Sequence, residues 1–455
     1  MPSAPVAVRR ALAAVLSAAI ACTVSTLRAQ IPESAYPARR AAVLAKLGKD
    51  LLIVPARASF LADDQMGFVQ APDFQYLTGL AEQVGAVLVL DGTDASVTLF
   101  VPRPSPLVSL GIIAPTAASA RTLRIDAVLP VDSLEPRLAR RFAAAPTTVS
   151  IAGVDARGAV ATPLPMANSV VRWRAWVKAL GAVDGKSATP LLRPLREIKS
   201  PEEIAILRKV GRASGAAFLA GLRALRTGQT QRVAELAVVD ACVTAGARGF
   251  SFWPWTMSGP NAQFMSLFSS FQSYEHLDRV MQRGEVVRVD VGCQSEHYMG
   301  DVGRTAPVTG HFKSGQREAW NLFISGYLAG LPLIKDGAAT ADVFAAALAE
   351  VRRRRPQLRT PQGKHAANVL LAANGTSPWE IHGVGLDDAE GQPDTLRTGM
   401  TVAYELMFVV DGDGFYLEDM IAVGRNDNEV LTPGLPYTAS EIHAAMAKAP
   451  ARRRR

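Results

Sequence analysis

The chain has 455 residues, 49% of them hydrophobic, which suits a globular protein of two or three domains. Its formal charge is +8, and the basic clusters, Arg352–Arg355 and Arg452–Arg455, have no interleaved aromatics or nucleic-acid motif, so nucleic acid is excluded as a partner. Three cysteines are too few for a zinc finger.

Arg9 and Arg10 precede an apolar run from Ala11 to Thr23, and Ala29 precedes Gln30, the pattern of a secretory leader over residues 1–29. That run is too short to span a bilayer, and no later segment could do so. Cys22 follows Ala19-Ile20-Ala21, a poor match to a lipid-attachment site. The expectation is export to the periplasm or the medium, with no membrane span after leader removal. Removing the leader takes away Arg9, Arg10 and Arg28 and no acid, so +8 becomes +5. Cys242 and Cys293 then remain, and their apolar surroundings predict two buried thiols, although one disulfide is arithmetically allowed.

Residues 30–190 alternate helix and strand. Arg39–Leu47 reads as a helix and Leu51–Pro55 as a buried strand. Ala86–Leu90 and Ser96–Val101, joined through Asp91-Gly92-Thr93-Asp94, read as a hairpin. A second domain, residues 191–447, opens on Ser200-Pro201-Glu202-Glu203, a capping serine, a first-turn proline and a capping-box glutamate. Helices are expected after it and around Arg232–Ala247, Gln316–Ile334 and Thr340–Arg353. Strands are expected at Glu285–Val291, His297–Thr309, Met400–Val410 and Phe415–Val423. Asp411-Gly412-Asp413-Gly414 turns the last pair. Residues 448–455 form a basic tail. The fold class is α+β, with a strongly bent antiparallel sheet and helices on one side.

Chemistry concentrates in the second domain. Asp290 and Asp301 lie on two runs joined by a short loop, and Glu405 and Glu418 do the same on the last hairpin. Four clustered carboxylates would repel and resist burial. A pair of divalent cations removes that cost, with His382 in Ile381-His382-Gly383-Val384-Gly385-Leu386 as the nitrogen donor.

The carrying residues are Val289-Asp290-Val291-Gly292, Met299-Gly300-Asp301-Val302-Gly303-Arg304-Thr305, His382-Gly383-Val384-Gly385-Leu386, Gly399-Met400-Thr401-Val402 leading to Glu405, and Glu418-Asp419. In the first half, Pro72-Asp73-Phe74-Gln75-Tyr76-Leu77-Thr78-Gly79 and Arg196-Glu197-Ile198-Lys199-Ser200-Pro201-Glu202-Glu203-Ile204 add to them. With these motifs the chain resembles the creatinase, aminopeptidase P and methionine aminopeptidase superfamily of M24 metallopeptidases, most of all its Xaa-Pro aminopeptidase branch. The resemblance implies a pita-bread catalytic domain preceded by a smaller α/β creatinase-type domain. It also implies an aminopeptidase acting on peptides or a related amide, in which Asp290 chelates one metal, Asp301 and Glu418 bridge two, and His382 and Glu405 complete the second. Glu405 becomes the catalytic proton acceptor. The family commonly uses manganese, cobalt or zinc, and oxygen-rich ligation favours manganese. A homo-oligomer is compatible with it.

The surroundings depart from the family. Two histidines and an arginine that the resemblance implies are replaced by Ser266, Ala389 and Tyr416. His276 is the histidine that could fold back towards Ser266. Period-two alternation puts Tyr416, Glu418 and Met420 on one strand face, so the Tyr416 phenol is a second candidate catalytic group and a packed tyrosine is its alternative. The aromatic run Phe250, Phe252, Trp253, Trp255, Phe264, Phe268 and Phe271 reads as core or as a substrate-pocket wall. The three replacements leave an alternative function: a metal-binding homologue that binds without turnover, or hydrolyses something other than a peptide.

Overall fold

The structure, a computed structural model, describes residues 31–57, 69–102, 124–153, 169–263, 278–372 and 379–447. The leader, the basic tail, Ser266, His276, Phe264, Phe268 and Phe271 lie outside the described residues. Among the described residues no helix is long and apolar enough to cross a membrane.

The first half contains α1 (Ala35–Leu47), β1 (Leu51–Pro55), α2 (Pro72–Thr78), β2 (Val87–Asp91), β3 (Ser96–Val101), β4 (Ala127–Pro130), α3 (Leu134–Ala144), β5 (Thr148–Ile151), α4 (Ser169–Ala179), β6 (Asp184–Ser187) and α5 (Thr189–Glu197). Its strands form one mixed sheet in the order β4-β3-β2-β1-β5-β6. The β1–β2 and β2–β3 pairs are antiparallel, while β3–β4, β1–β5 and β5–β6 are parallel. Leu52, Ile53, Val54, Leu88 and Leu90 are buried, since a sheet covered on both faces needs near-continuous apolar strands.

The second half opens with α6 (Pro201–Ala224) and α7 (Gln231–Thr244). At the start of α6 the expected capping box is present, Ser200 accepting from the Glu203 N–H and Glu203 reaching back to the Ser200 N–H. Then follow β7 (Gly249–Phe250), β8 (Trp255–Ser258), β9 (Val286–Val291), β10 (Cys293–Ser295), β11 (Tyr298–Met299) and β12 (Val302–Pro307). Next come α8 (Ser314–Gly330), α9 (Thr340–Arg354), α10 (Pro361–Leu371), β13 (Trp379–Gly383), β14 (Thr401–Val410), β15 (Asp413–Val423), β16 (Asn428–Val430) and α11 (Ala439–Ala447). The large sheet runs β13-β14-β15-β12-β9-β8, antiparallel throughout, with β16 also on β15. This is the expected pairing of an antiparallel sheet in the second half with an α/β first half.

The β14–β15 turn is tighter than expected. Val410 pairs with Asp413, leaving Asp411 (φ 50°) and Gly412 (φ 83°) as a two-residue turn of primed type. Gly414 is already in strand, where a Cβ would strike the Ala262 carbonyl. The helix expected to reach Ile334 stops at Gly330, because Pro332 lies in the 3₁₀ turn that follows.

The expectation of two free thiols is overturned. Cys242 on α7 and Cys293 on β10 form a disulfide with a Cα–Cα separation of 5.5 Å. Apolar burial made thiols plausible, but α7 packs against β7, the β10 partner, and this juxtaposition is invisible in a spacing of 51 residues. Reduction should lower unfolding stability by about 2–4 kcal/mol. Denaturant melts with and without reductant measure this, and coincident curves would refute it.

Candidate metal centre

Register brings the predicted ligands to one face. In the large sheet Asp290 of β9 pairs with Gly303 of β12, Gly303 with Glu418 of β15, Glu418 with Glu405 of β14, and Glu405 with Glu380 of β13. Directly opposed residues point the same way, so these side chains form a row interrupted only by glycine. Asp301 stands two residues before Gly303 and His382 two after Glu380, one step along on the same side. All five predicted ligands therefore stand on one side of the sheet, on β9, β13, β14 and β15 and, for Asp301, on the residue before β12.

The distances are short. His382 Nε2 lies 3.5 Å from Glu418 Oε1 and 4.0 Å from Glu405 Oε1. One ligand atom each from Asp301, His382 and Glu418 lie within 4.8 Å of one another. Asp290, Asp301, His382 and Glu418 are buried, whereas the Glu405 side chain keeps 21% of its exposure and so faces the accessible side.

Crowding moves every acid–base equilibrium here. Burial raises the Asp290 carboxyl to about 6, with the charge of Glu418 adding and Arg288 opposing. Burial and the Glu418 charge raise Glu405 to about 8. Burial, then Glu418 and Asp290, raise Asp301 well above the carboxylate range. Burial opposes charge on His382, but its close approach to Glu418 and the charges of Glu405 and Glu418 outweigh that and raise it to about 10. Burial disfavours charge on Glu418, but the nearby His382 and the neighbouring Asp301 and Tyr416 groups outweigh it, so Glu418 alone is held low.

The residues present fit a divalent metal. Asp290 Oδ1, Asp301 Oδ1 and Glu418 Oε1 are buried without a hydrogen-bond partner. Three orphaned carboxylate oxygens beside an imidazole are costly unless cations occupy them. The frame around them is stiff. Arg304 donates through Nη1 to the carbonyls of Gly303 and Glu418 and through Nη2 to Asp419 Oδ1 at 2.7 Å. Tyr327, Tyr437 and Thr432 also donate to Asp419. The loop after His382 is held by Glu390, which accepts from Lys199 Nζ and Arg196 Nη2 at 2.6 Å each and from the Leu386 N–H.

Tyr416 is buried, and its hydroxyl donates to Glu418 Oε2 at 2.6 Å. Ala389 is half-buried in the loop after β13, with its N–H on Asp388. Trp255 pairs across β8–β9 with Asp290 and is half-buried, as are Phe250, Phe252 and Trp253. Sequence reasoning missed Arg288 and Glu380. Arg288 shares its face with Asp290 by the same period-two rule that singled out Tyr416, a signal that was available. Glu380 needed the β13–β14 register.

Residues 205–425 match the family model of metallopeptidase family M24, and residues 36–150 match that of the aminopeptidase P N-terminal domain. The chain belongs to metallopeptidase family M24. Within that family it most resembles aminopeptidase P. The Xaa-Pro aminopeptidase of Escherichia coli strain K12 is 26% identical over 92% of this chain and 99% of its own length. That of Haemophilus influenzae is 23% identical over 92% and 98%. Among solved structures, a histidine-to-alanine variant of Escherichia coli aminopeptidase P superposes with a TM-score of 0.72 at 23% identity, covering 92% of this chain and 98% of that one. Proline aminopeptidase P II from Yersinia pestis gives 0.71 at 23%, covering 92% and 100%. At these identities the superpositions establish a shared fold. As an M24 protein with these relatives, the chain is a metallo-aminopeptidase-like hydrolase.

Proposed function

We propose that this M24 protein is an exported, dinuclear metal-dependent hydrolase that removes the N-terminal residue from Xaa-Pro peptides or a related amide. The observation that carries it is the convergence of Asp290, Asp301, His382, Glu405 and Glu418 on one sheet face with three orphaned buried oxygens. In this reading Asp290 would hold one cation, His382 and Glu405 would hold the other, and Asp301 and Glu418 would serve both. Manganese is preferred for an oxygen-rich set, with cobalt or zinc as substitutes. When bound, the cations supply Lewis acidity and a lowered pKa for water.

The chain supplies the rest. Glu405 takes the proton of the attacking water and returns it to the leaving amine. Tyr416 acts on Glu418 through its hydroxyl. Half-buried Trp255, beside Asp290, suits a wall of the substrate cleft. The chain divides near residue 190, between the two large sheets. The disulfide supports export, because such bonds persist in oxidising compartments.

A second reading has one observation in its favour: Ala389 offers no side-chain donor where the family resemblance implies a histidine, and loss of one transition-state donor typically costs about 100- to 1000-fold in rate. It is a metal-loaded homologue that retains peptides uncleaved or acts on another ester or amide. Metal analysis combined with an Xaa-Pro peptide library separates the two. The expected outcome is two manganese ions per chain and release of a free amino acid from some Xaa-Pro peptide. Full metal occupancy with intact peptides recovered throughout would replace the first reading by the second.

A further inference from the structure

The face that carries the ligand row also carries a cation, Arg288, two residues before Asp290 on β9. Its side chain is buried, and Nη2 donates to Asp290 Oδ2 at 2.6 Å. Its guanidinium carbon lies 4.2 Å from the centre of the Tyr416 ring, and Nη1 lies 3.1 Å from Met407 Sδ. The register explains this meeting. Thr305 of β12 pairs with Arg288 on one side and accepts the Tyr416 N–H on the other. The two side chains therefore flank one strand, and Gly303 makes room, since a Cβ there would collide with the Tyr416 ring.

A buried guanidinium is costly unless its charge is paired. An apolar side chain could fill the space between Tyr416 and Met407 without that cost. What Arg288 and Tyr416 do in common is specific to the site. Arg288 takes Oδ2 of Asp290 and leaves Oδ1 without a partner, while Tyr416 takes Oε2 of Glu418 and leaves Oε1 without a partner. Each carboxylate is held by one oxygen while the other is left free of hydrogen bonds. Contacts of this kind orient metal ligands and tune their affinity. The guanidinium stacked on the phenol ring joins the two holds into one unit.

We infer that Arg288 is a positioning residue of this centre, acting with Tyr416 as a single brace that presents Asp290 Oδ1 and Glu418 Oε1 to the cations. The inference rests on the metal reading above. Charge and orientation make opposite forecasts for it. If Arg288 mattered only as a positive charge, removing it would tighten cation binding at an acidic site. A brace requires that binding weaken.

The test is manganese titration of the metal-depleted full chain by calorimetry, with electron paramagnetic resonance reporting whether the two ions are spin-coupled. Arg288→Met should weaken binding by about 10- to 100-fold and diminish the coupled signal, and Tyr416→Phe should do the same. The double variant should lose no more than the worse single variant, because the two act as one unit. Arg288→Lys keeps the charge without the planar fork and should recover only part of the affinity. Melting of each metal-free variant checks folding; should Arg288→Met fail to fold, Arg288→Lys and Tyr416→Phe carry the same comparison. Wild-type affinity in the Arg288 variants, tighter binding, or losses that multiply independently would overturn the brace while leaving the metal reading intact. A wild-type chain that binds no manganese would remove both.

Discussion

Glu405→Gln is expected to lower kcat by about 10²- to 10⁴-fold while manganese remains bound. Glu405 sits in the middle of β14, directly opposite Glu418. Its partner is fully buried, whereas Glu405 retains partial exposure, so of the two it is the carboxyl that meets incoming water and substrate. Burial and the Glu418 charge raise it to about 8 in the metal-free fold; bound cations would lower it and leave a carboxylate able to take up a proton. An amide has nearly the same shape and keeps an oxygen for a cation, but it cannot take up a proton and pass it on. Steady-state kinetics on the best library peptide, alongside metal analysis of the same preparation, measure the effect. Wild-type turnover by a folded, metal-loaded Gln variant would assign the proton transfer elsewhere.

Metal-depleted protein should lose stability as pH rises from about 5 to about 8, and metal-loaded protein should not. Unfolded Asp and Glu ionise near 4. In the metal-free fold Asp290 is raised to about 6, Glu405 to about 8 and Asp301 well above its ordinary value. Up to its own folded-state pKa each group holds a proton that the unfolded chain has released, and this costs about 1.4 kcal/mol of stability per pH unit, Asp290 dropping out above about 6. His382, raised to about 10, works in the same direction, since its contribution is complete below about 6.5 and fades as pH rises towards 10. Glu418 is held low and opposes the trend only below its ordinary range. Cations take the place of the protons and flatten the profile. Thermal melts with and without chelator at pH 5, 6, 7 and 8 should show a gap that widens with pH. A constant gap would mean that the carboxylates are not the cation ligands.

Much of this centre could be read from local pattern. The β14–β15 hairpin was legible because alternation and Asp-Gly mark it, but its register was not: the expected four-residue turn sets Glu405 opposite Met420, whereas the two-residue turn sets it opposite Glu418. The α6 capping box was legible because its hydrogen bonds span three residues. Arg288 was open to the same alternation argument as Tyr416, but its meeting with Tyr416 depends on the β9, β12 and β15 register and could not be read from β9 alone. Helix α10 and strand β13 were not foreseen. β13 has five residues, including a glutamate, a histidine and a glycine, and its strand character comes from pairing with β14.

The sequence by itself determined the M24 motifs, the order of the candidate ligands and which residues stand at 266, 389 and 416, because these are matters of residue identity and spacing. Only the tertiary structure decided that Cys242 and Cys293 are bonded, that Asp290, Glu418, Glu405 and Glu380 form one row, and that Arg288 meets Tyr416 across β12. Each of those depends on pairing between segments far apart in the chain. Such pairing is set by which strand faces fit together over the whole sheet, and it leaves no signature in any one segment.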